Sequence, residues 1–230
     1  MRALSGTTAN FAVFSAILKP GDRIMGLKVT DGGHSSHGYS INNENLAATS
    51  IFFETQPYQV DPETGDIDYE RLHESARVFR PKLVIAGASC FSKLINYKRF
   101  REICDEINAI LMADIAHISG FIAGGSLPSP FEYVDILNTT THKSLRGPKG
   151  ALIFFRKHYE NKINKMVYPG FYGGAHNHVM AAIAVAMKEV NSDEFKHYAH
   201  QAIKNSKAIC KSLIDKGYKI FGGKYLNLVF

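Results

Sequence analysis

A polar run around a single lysine could carry out chemistry on an aldehyde. It covers residues 139–150, TTTHKSLRGPKG, and lies between two strongly apolar segments. A lysine held at the end of a buried strand among hydroxyl and imidazole groups is desolvated, which lowers the pKa of its amine and frees it for Schiff-base chemistry. Lys143 is therefore a candidate attachment site for an aldehyde cofactor. An ordinary polar turn between two strands is the alternative that the run alone allows.

A second cluster, residues 5–10 with the sequence SGTTAN, precedes an apolar helix pattern. Small hydroxyl residues and a glycine at a helix N-terminus leave backbone N–H groups free at the positive end of the helix dipole. This arrangement predicts a phosphate cradle. A simple N-cap is the alternative.

Two histidines, His34 and His37, lie among glycines in residues 31–38, DGGHSSHG, directly after a predicted strand. Glycines let the backbone approach a ligand closely, and an imidazole can stack on a planar ring. A metal site is disfavoured because the spacing offers no third ligand, so we predict none. A turn with surface histidines is the alternative.

Asp114 follows an apolar strand pattern, and His117 comes three residues later. A buried carboxylate requires a partner. If the ligand carries a pyridine nitrogen, Asp114 would keep that nitrogen protonated and so make the ring an electron sink. A helix N-cap is the alternative for Asp114.

The elements that must position these residues alternate along the chain. We predict strands at residues 22–29, 49–58, 83–88, 110–114, 136–140 and 151–155. We predict helices at residues 9–19, 69–79, 97–107, 178–190 and 194–216. This alternation predicts an α/β fold with a mostly parallel or mixed sheet that is covered on both faces. Ligands of such sheets bind beyond the carboxyl ends of the strands, which is where the polar clusters lie.

The composition excludes several classes of protein. The net charge of +6 comes from basic residues spread along 230 residues, which favours a solvated face or a site for anionic substrates over nucleic-acid binding. No run of about 18 apolar residues occurs, so we predict no membrane span. Cys90, Cys104 and Cys210 are too scattered for a disulfide framework and indicate a cytosol-like compartment. An apolar run at residues 225–230 stops in mid-strand, so we expect a piece of a longer fold.

The chain resembles serine hydroxymethyltransferase, a fold-type I pyridoxal-phosphate enzyme, over essentially its whole length. The matching stretches are SGTTANFAVFSAIL, DGGHSSHG, GASCFS, LMADIAHISGFIAGG, TTTHKSLRGPKG and YPGFYGGAHNH. The resemblance implies a seven-stranded-type sheet with helices on both faces. It also implies that residues 1–230 form the cofactor-binding large domain, that residues 217–230 begin the small domain, and that the family's N-terminal arm and remaining small domain are absent.

The resemblance also implies roles for individual residues. Lys143 would form the Schiff base with pyridoxal 5′-phosphate, Asp114 would pair with the pyridine nitrogen, and His34 would stack on the ring. Ser89 would bond the ring hydroxyl, with His117 beside that hydroxyl and the substrate carboxylate. Thr140 would stand beside the lysine during proton transfer. The implied phosphate ligands are Ser5, Gly6, Thr7 and His142, together with Gly173 and Gly174, which would reach the phosphate of a neighbouring subunit in a homodimer or homotetramer.

The implied reaction moves the hydroxymethyl carbon of serine to tetrahydrofolate and gives glycine and methylene-tetrahydrofolate, in the cytoplasm or, if a presequence has been lost, in the mitochondrion. Two positions depart from the family pattern: Ser35 replaces a leucine that touches folate, and Lys149 replaces an arginine. These departures leave open a catalytically inactive homologue that acts as a cofactor-binding or dimerisation module. GASCFS and TTTHKSLRGPKG argue against another fold-type I enzyme, such as a threonine aldolase or an aminotransferase.

Overall fold

A computed structural model describes residues 2–42 and 44–220 and shows an α/β architecture around one large sheet. The strands are β1 (Arg2–Ala3), β2 (Arg23–Leu27), β3 (Ser40–Ile41), β4 (Glu44–Asn45), β5 (Glu54–Tyr58), β6 (Leu83–Gly87), β7 (Ile110–Asp114), β8 (Ile136–Thr140) and β9 (Ala151–Phe155). The seven-stranded sheet has the order β1-β9-β8-β7-β6-β2-β5, and β3 and β4 form a separate hairpin. The pairs from β5 to β8 are parallel, and β9 pairs antiparallel with both β8 and β1. The prediction of a mostly parallel mixed sheet is confirmed.

Helices cover both faces of this sheet. They are α1 (Gly6–Ile17), α2 (Ala48–Phe52), α3 (Tyr69–Phe79), α4 (Tyr97–Ile107), α5 (Ser119–Ala123), α6 (Glu160–Lys165), α7 (Asn177–Val190) and α8 (Asp193–Asp215). Successive residues of a strand point to opposite faces, so Val84 packs in the core with α3 and α4, and Ile85 packs in the core with α1 and α6. Burial on both faces explains why these strands are apolar at almost every position.

The carboxyl ends of the central strands meet at one edge of the sheet. Gly87 at the end of β6 pairs with Asp114 at the end of β7, and Asp114 pairs with Asn138 near the end of β8. The start of α1 packs on the same edge, since a Cβ added at Gly6 would lie 2.9 Å from Cγ2 of Thr140. The polar clusters at residues 5–10, 112–117 and 139–143 are thereby brought to one edge, as predicted.

The strand predicted at residues 49–58 is wrong in its first half. Residues 48–52 form α2, and only residues 54–58 form the strand β5. The Thr49 hydroxyl donates to the carbonyl of Ser36 at 2.7 Å, and the N–H of Phe53 donates to the carbonyl of Thr49 at 2.9 Å. The tertiary hydrogen bond of Thr49 thus favours a helical turn over the strand propensity of this β-branched and aromatic segment.

Other boundaries differ less. The helix predicted at residues 9–19 begins at Gly6 and ends at Ile17, and the strand predicted at residues 22–29 is confined to residues 23–27. Asp68 and Ser192 cap α3 and α8 through hydrogen bonds from Arg71 and Phe195 N–H. The apolar run at residues 225–230, like most of the segment predicted to begin a small domain, lies outside the described residues.

Candidate active site

Asp114, at the end of β7, is a buried carboxylate with three donors. Its Oδ2 accepts from Nε2 of His37 at 2.9 Å and from Nδ2 of Asn10 at 2.8 Å, and its Oδ1 accepts from Ala116 N–H at 3.2 Å. Burial alone would raise the pKa of Asp114, but the hydrogen bonds and the nearby His37 hold that pKa well below its ordinary value. The carboxylate is therefore ionised and suited to a protonated ring nitrogen. It does not cap a helix, because α5 begins only at Ser119.

Asn10, from the second turn of α1, connects Asp114 to its surroundings. Its Nδ2 also donates to Oγ of Ser36 at 2.9 Å, and its amide meets the amide of Asn138 at 2.7 Å. Ser36 Oγ in turn lies 2.6 Å from Nδ1 of His34. One hydrogen-bonded chain thus joins α1, β7, β8 and the histidine loop.

Lys143 lies three residues beyond the end of β8, where its Nζ is 2.9 Å from Nε2 of His117. Burial lowers the pKa of Lys143, although the carboxylate of Asp114 opposes the change. Burial, and then the positive charge of Lys143, lower the pKa of His117 to about 4. At neutral pH His117 is therefore an uncharged acceptor beside an amine that is easier to deprotonate than an ordinary lysine.

His34 is half-buried beside this cluster, and its ring centroid lies 5.6 Å from that of His37. Burial lowers the pKa of His34. The positive charge of Lys143 also lowers it, whereas the carboxylate of Asp114 acts in the opposite direction. The structure thus brings together the predicted residues His34, Asp114, His117 and Lys143. His37 points to Asp114 and is not a surface residue, since its side chain is about 1% exposed.

The N-terminus of α1 is the element that we predict to bind phosphate. Among the described residues, the Ser5 side chain makes no cap hydrogen bond, and its hydroxyl lies 3.0 Å from that of Thr8. The first-turn N–H groups of α1, which include those of Gly6 and Thr7, have no partner within the helix and so remain available to an anion. Thr140 is buried directly beneath, with its hydroxyl 3.4 Å from the Ala116 carbonyl.

Ser89 lies just after β6, and its hydroxyl oxygen is buried without a hydrogen-bond partner in the described part of the chain. Its backbone N–H donates to the carbonyl of Gly32 at 2.8 Å, which fixes the residue beside the histidine loop. An unpaired buried hydroxyl costs about 1–3 kcal/mol, so such a group is expected to have a partner that the protein itself does not supply.

Other predicted residues lie at the surface. His142 is exposed, and its Nδ1 accepts from Gly150 N–H at 3.4 Å. Gly173 and Gly174 lie in an exposed turn, and a Cβ added at either would meet nothing within 4 Å among the described residues. Their contact with a neighbouring subunit stays a prediction. Ser35 and Lys149 are also exposed.

The sequence patterns missed four residues of the site: Asn10, Ser36, His37 as a partner of Asp114, and Asn138. The signal is faint, because Asn10 and Asn138 each lie at the boundary between a polar cluster and an apolar run and do not stand out from their polar neighbours. Their full burial is what identifies them, since buried polar side chains are almost always part of a network.

Taken together, the residues fit a planar cofactor with an aldehyde, a ring nitrogen and a phosphate. The ionised Asp114 suits the ring nitrogen, the unpaired Ser89 hydroxyl suits a polar ring substituent, and the N-terminus of α1 suits the phosphate. In residues 2–42 and 44–220, no group of three or more His, Cys, Asp or Glu side chains could hold a metal ion.

Comparison with known proteins agrees with this geometry. The family model described as serine hydroxymethyltransferase matches residues 1–229. A serine hydroxymethyltransferase of Bombyx mori is 52% identical over 95% of this chain and 50% of its own length. Two proteins named serine hydroxymethyltransferase, cytosolic are also similar. That of Saccharomyces cerevisiae is 50% identical over 96% of this chain and 50% of its own length, and that of Oryctolagus cuniculus is 48% identical over 95% and 48%. The chain spans about half the length of the curated relatives it matches.

Over the described residues, no helix has the length and apolar character needed to span a membrane.

Proposed function

Because this chain belongs to the serine hydroxymethyltransferase family and has its fold-type I architecture, we propose that it binds pyridoxal 5′-phosphate and acts in transferring the hydroxymethyl carbon of serine to tetrahydrofolate. The products would be glycine and methylene-tetrahydrofolate. The observation that carries this proposal is the half-buried amine of Lys143, 2.9 Å from His117 and at the same sheet edge as the ionised Asp114.

The cofactor would supply an aldehyde for amines and a protonated ring that withdraws electrons from the substrate. Asp114 would hold the ring nitrogen and keep it protonated. His34 would lie against the ring face, and Ser89 would bond the ring hydroxyl. The start of α1, through Ser5, Gly6 and Thr7, would hold the phosphate with help from His142.

The side chains of this chain would divide the remaining work. The lowered pKa of Lys143 increases the fraction of neutral amine, which is the form that attacks a carbonyl or accepts a proton. His117 would orient that amine and meet the substrate carboxylate. Thr140 is buried against Gly6 and would stand beside Lys143 during proton transfer. Serine, glycine and folate would be the small-molecule ligands, and the exposed Ser35 would face folate where a leucine is usual.

We also propose that the chain assembles as a homodimer or homotetramer. Helix α7 is rich in apolar residues but largely exposed, with Met180 at 46% and Val185 at 60% exposure, and it directly follows the turn that holds Gly173 and Gly174. An exposed apolar helix face of this kind is typical of an interface. The same face favours a second candidate function, a cofactor-binding or dimerisation module without catalytic activity.

Residues 1–230 would form the large domain, with its last residues leading into a small domain. We propose a cytoplasmic location, which is supported by the word cytosolic in the names of two relatives. A mitochondrial location is the alternative.

The test is the absorption spectrum of the purified protein with pyridoxal 5′-phosphate. We expect a yellow protein that keeps its colour on dialysis, and we expect Lys143→Ala to lose that colour. Lys157→Ala is the matched control and should stay yellow. It removes an exposed lysine just after the C-terminal end of β9, away from the edge of the sheet where Lys143 lies. A colourless wild-type protein would contradict the proposal. Cleavage of serine with tetrahydrofolate then separates an enzyme from an inactive module, and light scattering gives the assembly state.

A further inference from the structure

The side-chain amide of Asn10 donates hydrogen bonds to two different parts of the site, the end of β7 and the histidine loop. The residue is 1% exposed. One N–H donates to Oδ2 of Asp114 at 2.8 Å, and the other donates to Oγ of Ser36 at 2.9 Å. Its oxygen lies 2.7 Å from the amide of Asn138. Every polar atom of the side chain therefore lies at hydrogen-bonding distance from a partner, and the ionised Asp114, which can only accept, turns the N–H side of the amide toward itself.

The branch through Ser36 fixes His34. Ser36 Oγ accepts from Asn10, so its own hydrogen is free for Nδ1 of His34, 2.6 Å away. The backbone N–H of Ser36 also donates to that Nδ1 at 3.2 Å. Since Nδ1 accepts two hydrogen bonds, the ring proton of neutral His34 lies on Nε2. The amide of Asn10 thus directs the Ser36 hydroxyl hydrogen to His34 and reinforces the tautomer that the Ser36 backbone N–H also favours.

The position of Asn10 along α1 links these groups to the other end of the site. Asn10 lies four residues after Gly6 in the same helix, a rise of about 6 Å. The helix whose N-terminus offers free N–H groups therefore also carries the amide that holds Asp114 and His34. Because α1 is a rigid element, this side chain links the position of the helix N-terminus to that of the carboxylate, together with the packing of Gly6 on Thr140.

We propose that Asn10 is a positioning residue that holds the carboxylate of Asp114 and the imidazole of His34 at fixed positions relative to each other and to the N-terminus of α1. We call this arrangement the register of the site. The ligand that would use this register, pyridoxal 5′-phosphate, rests on the proposed function. The register itself belongs to the protein without ligand and is tested there.

The substitution Asn10→Asp keeps the shape and replaces the two N–H donors by a carboxylate oxygen. That oxygen would face Oδ2 of Asp114 and would attract the hydroxyl hydrogen of Ser36 away from His34. Ser36→Ala is the matched control, since it cuts only the branch to His34 and leaves the bond between Asn10 and Asp114. Nuclear magnetic resonance of the ligand-free protein follows the Asp114 carboxyl and the His34 ring nitrogens. Asp114 is also influenced by the charges of His37, His34, His117 and Lys143, so both variants are compared at the same pH values.

We expect Asn10→Asp to raise the pKa of Asp114 by about one or more and to change the ring-nitrogen shifts of His34. We expect Ser36→Ala to change the His34 shifts alone. If folded Asn10→Asp keeps the wild-type Asp114 titration and His34 shifts, the proposal is overturned. Should Asn10→Asp not fold, Asn10→Ser, which is smaller and uncharged, is measured for the same two signals, and unchanged signals again overturn it.

Ligand binding separates this inference from the proposed function. If the wild-type protein binds pyridoxal 5′-phosphate, Asn10→Asp should weaken that affinity about 10- to 100-fold, as expected for lost hydrogen bonds to a charged group. A wild-type protein that binds none, with the expected changes at Asp114 and His34, would support the positioning role and reject the proposed function. Unchanged affinity in Asn10→Asp with a wild-type protein that does bind would count against the register.

Discussion

Asp114 is the last residue of β7 and Lys143 lies just beyond the neighbouring strand β8, at one edge of the sheet, yet their surroundings differ. Asp114 is 8% exposed and accepts hydrogen bonds from His37, Asn10 and the backbone of Ala116. Lys143 is only partly buried, and the hydrogen bond described for its amine goes to His117. We call the first group, Asp114 with Asn10 and His37, the aspartate side. The second group, Lys143 with His117, Ser89 and Gly6, is the lysine side.

The difference distinguishes hydrogen bonds that the protein forms without a ligand from polar groups that a ligand would pair. On the aspartate side the polar atoms of Asn10 and Asp114 are bonded to protein, so this pair is held in place before any ligand arrives, although Nδ1 of the buried His37 has no partner among the described residues. On the lysine side the Ser89 hydroxyl is unpaired in the described chain, and the α1 N–H groups are free to bind an anion. Removing a polar group on the aspartate side should therefore cost stability of the ligand-free protein as well as ligand affinity, whereas removing a polar group that is unpaired on the lysine side should cost ligand affinity alone.

Removing the carboxylate of Asp114 should have the largest effect. Asp114→Ala leaves the buried donors of His37 and Asn10 without an acceptor, and each buried donor that is left unpaired costs about 1–3 kcal/mol. Urea unfolding of the ligand-free protein measures this loss. Asp114→Asn keeps the shape and one acceptor and should lose less. An Asp114→Ala protein as stable as wild type would show that the aspartate side is not prebuilt.

The same contrast explains how far the sequence could predict the site. Lys143 and Asp114 stand out because each follows an apolar strand pattern, and the alternation of elements places them at one edge. The contact between His37 and Asp114 spans 77 positions, and that between Asn10 and Asp114 spans 104. No local spacing encodes such pairs. The wrong strand at residues 49–53 has the same cause, since Thr49 bonds the distant carbonyl of Ser36.

Gly6→Ala probes the phosphate end of the lysine side. The added Cβ would lie 2.9 Å from Cγ2 of the buried Thr140, so the start of α1 must shift. We expect a loss of about 1–3 kcal/mol in unfolding free energy and weaker binding of pyridoxal 5′-phosphate. Gly174→Ala is the control, because its Cβ would meet nothing within 4 Å in the part of the chain that the structure describes, and its effect on the unfolding free energy should stay within about 0.5 kcal/mol. Equal effects of the two substitutions would refute the close packing on Thr140.

His117 predicts a dependence of stability on pH. Its pKa is about 4 in the folded protein against an ordinary 6.5, so the unfolded chain binds more protons between these values. The free energy of unfolding should therefore fall as the pH is lowered from 6.5 to 4. His117→Asn should remove about 1 kcal/mol of that fall, a value reduced for solvent screening. His34, whose pKa is also lowered, should keep part of the slope. Identical slopes for wild type and His117→Asn would contradict the burial of a neutral imidazole.

Ser89→Ala should cost no stability and still affect the ligand. The hydroxyl is buried without a partner in the described chain, so removing it breaks no hydrogen bond and should raise the free energy of unfolding by about 1 kcal/mol, the lower end of the cost of an unpaired hydroxyl. If that hydroxyl waits for the ring of pyridoxal 5′-phosphate, affinity should fall about threefold to tenfold, the range for one neutral hydrogen bond. Urea unfolding and a binding titration on the same preparation measure both quantities. A stable variant with unchanged affinity would show that Ser89 lies outside the ligand site. His117 would then be the residue of the lysine side that contacts the ring.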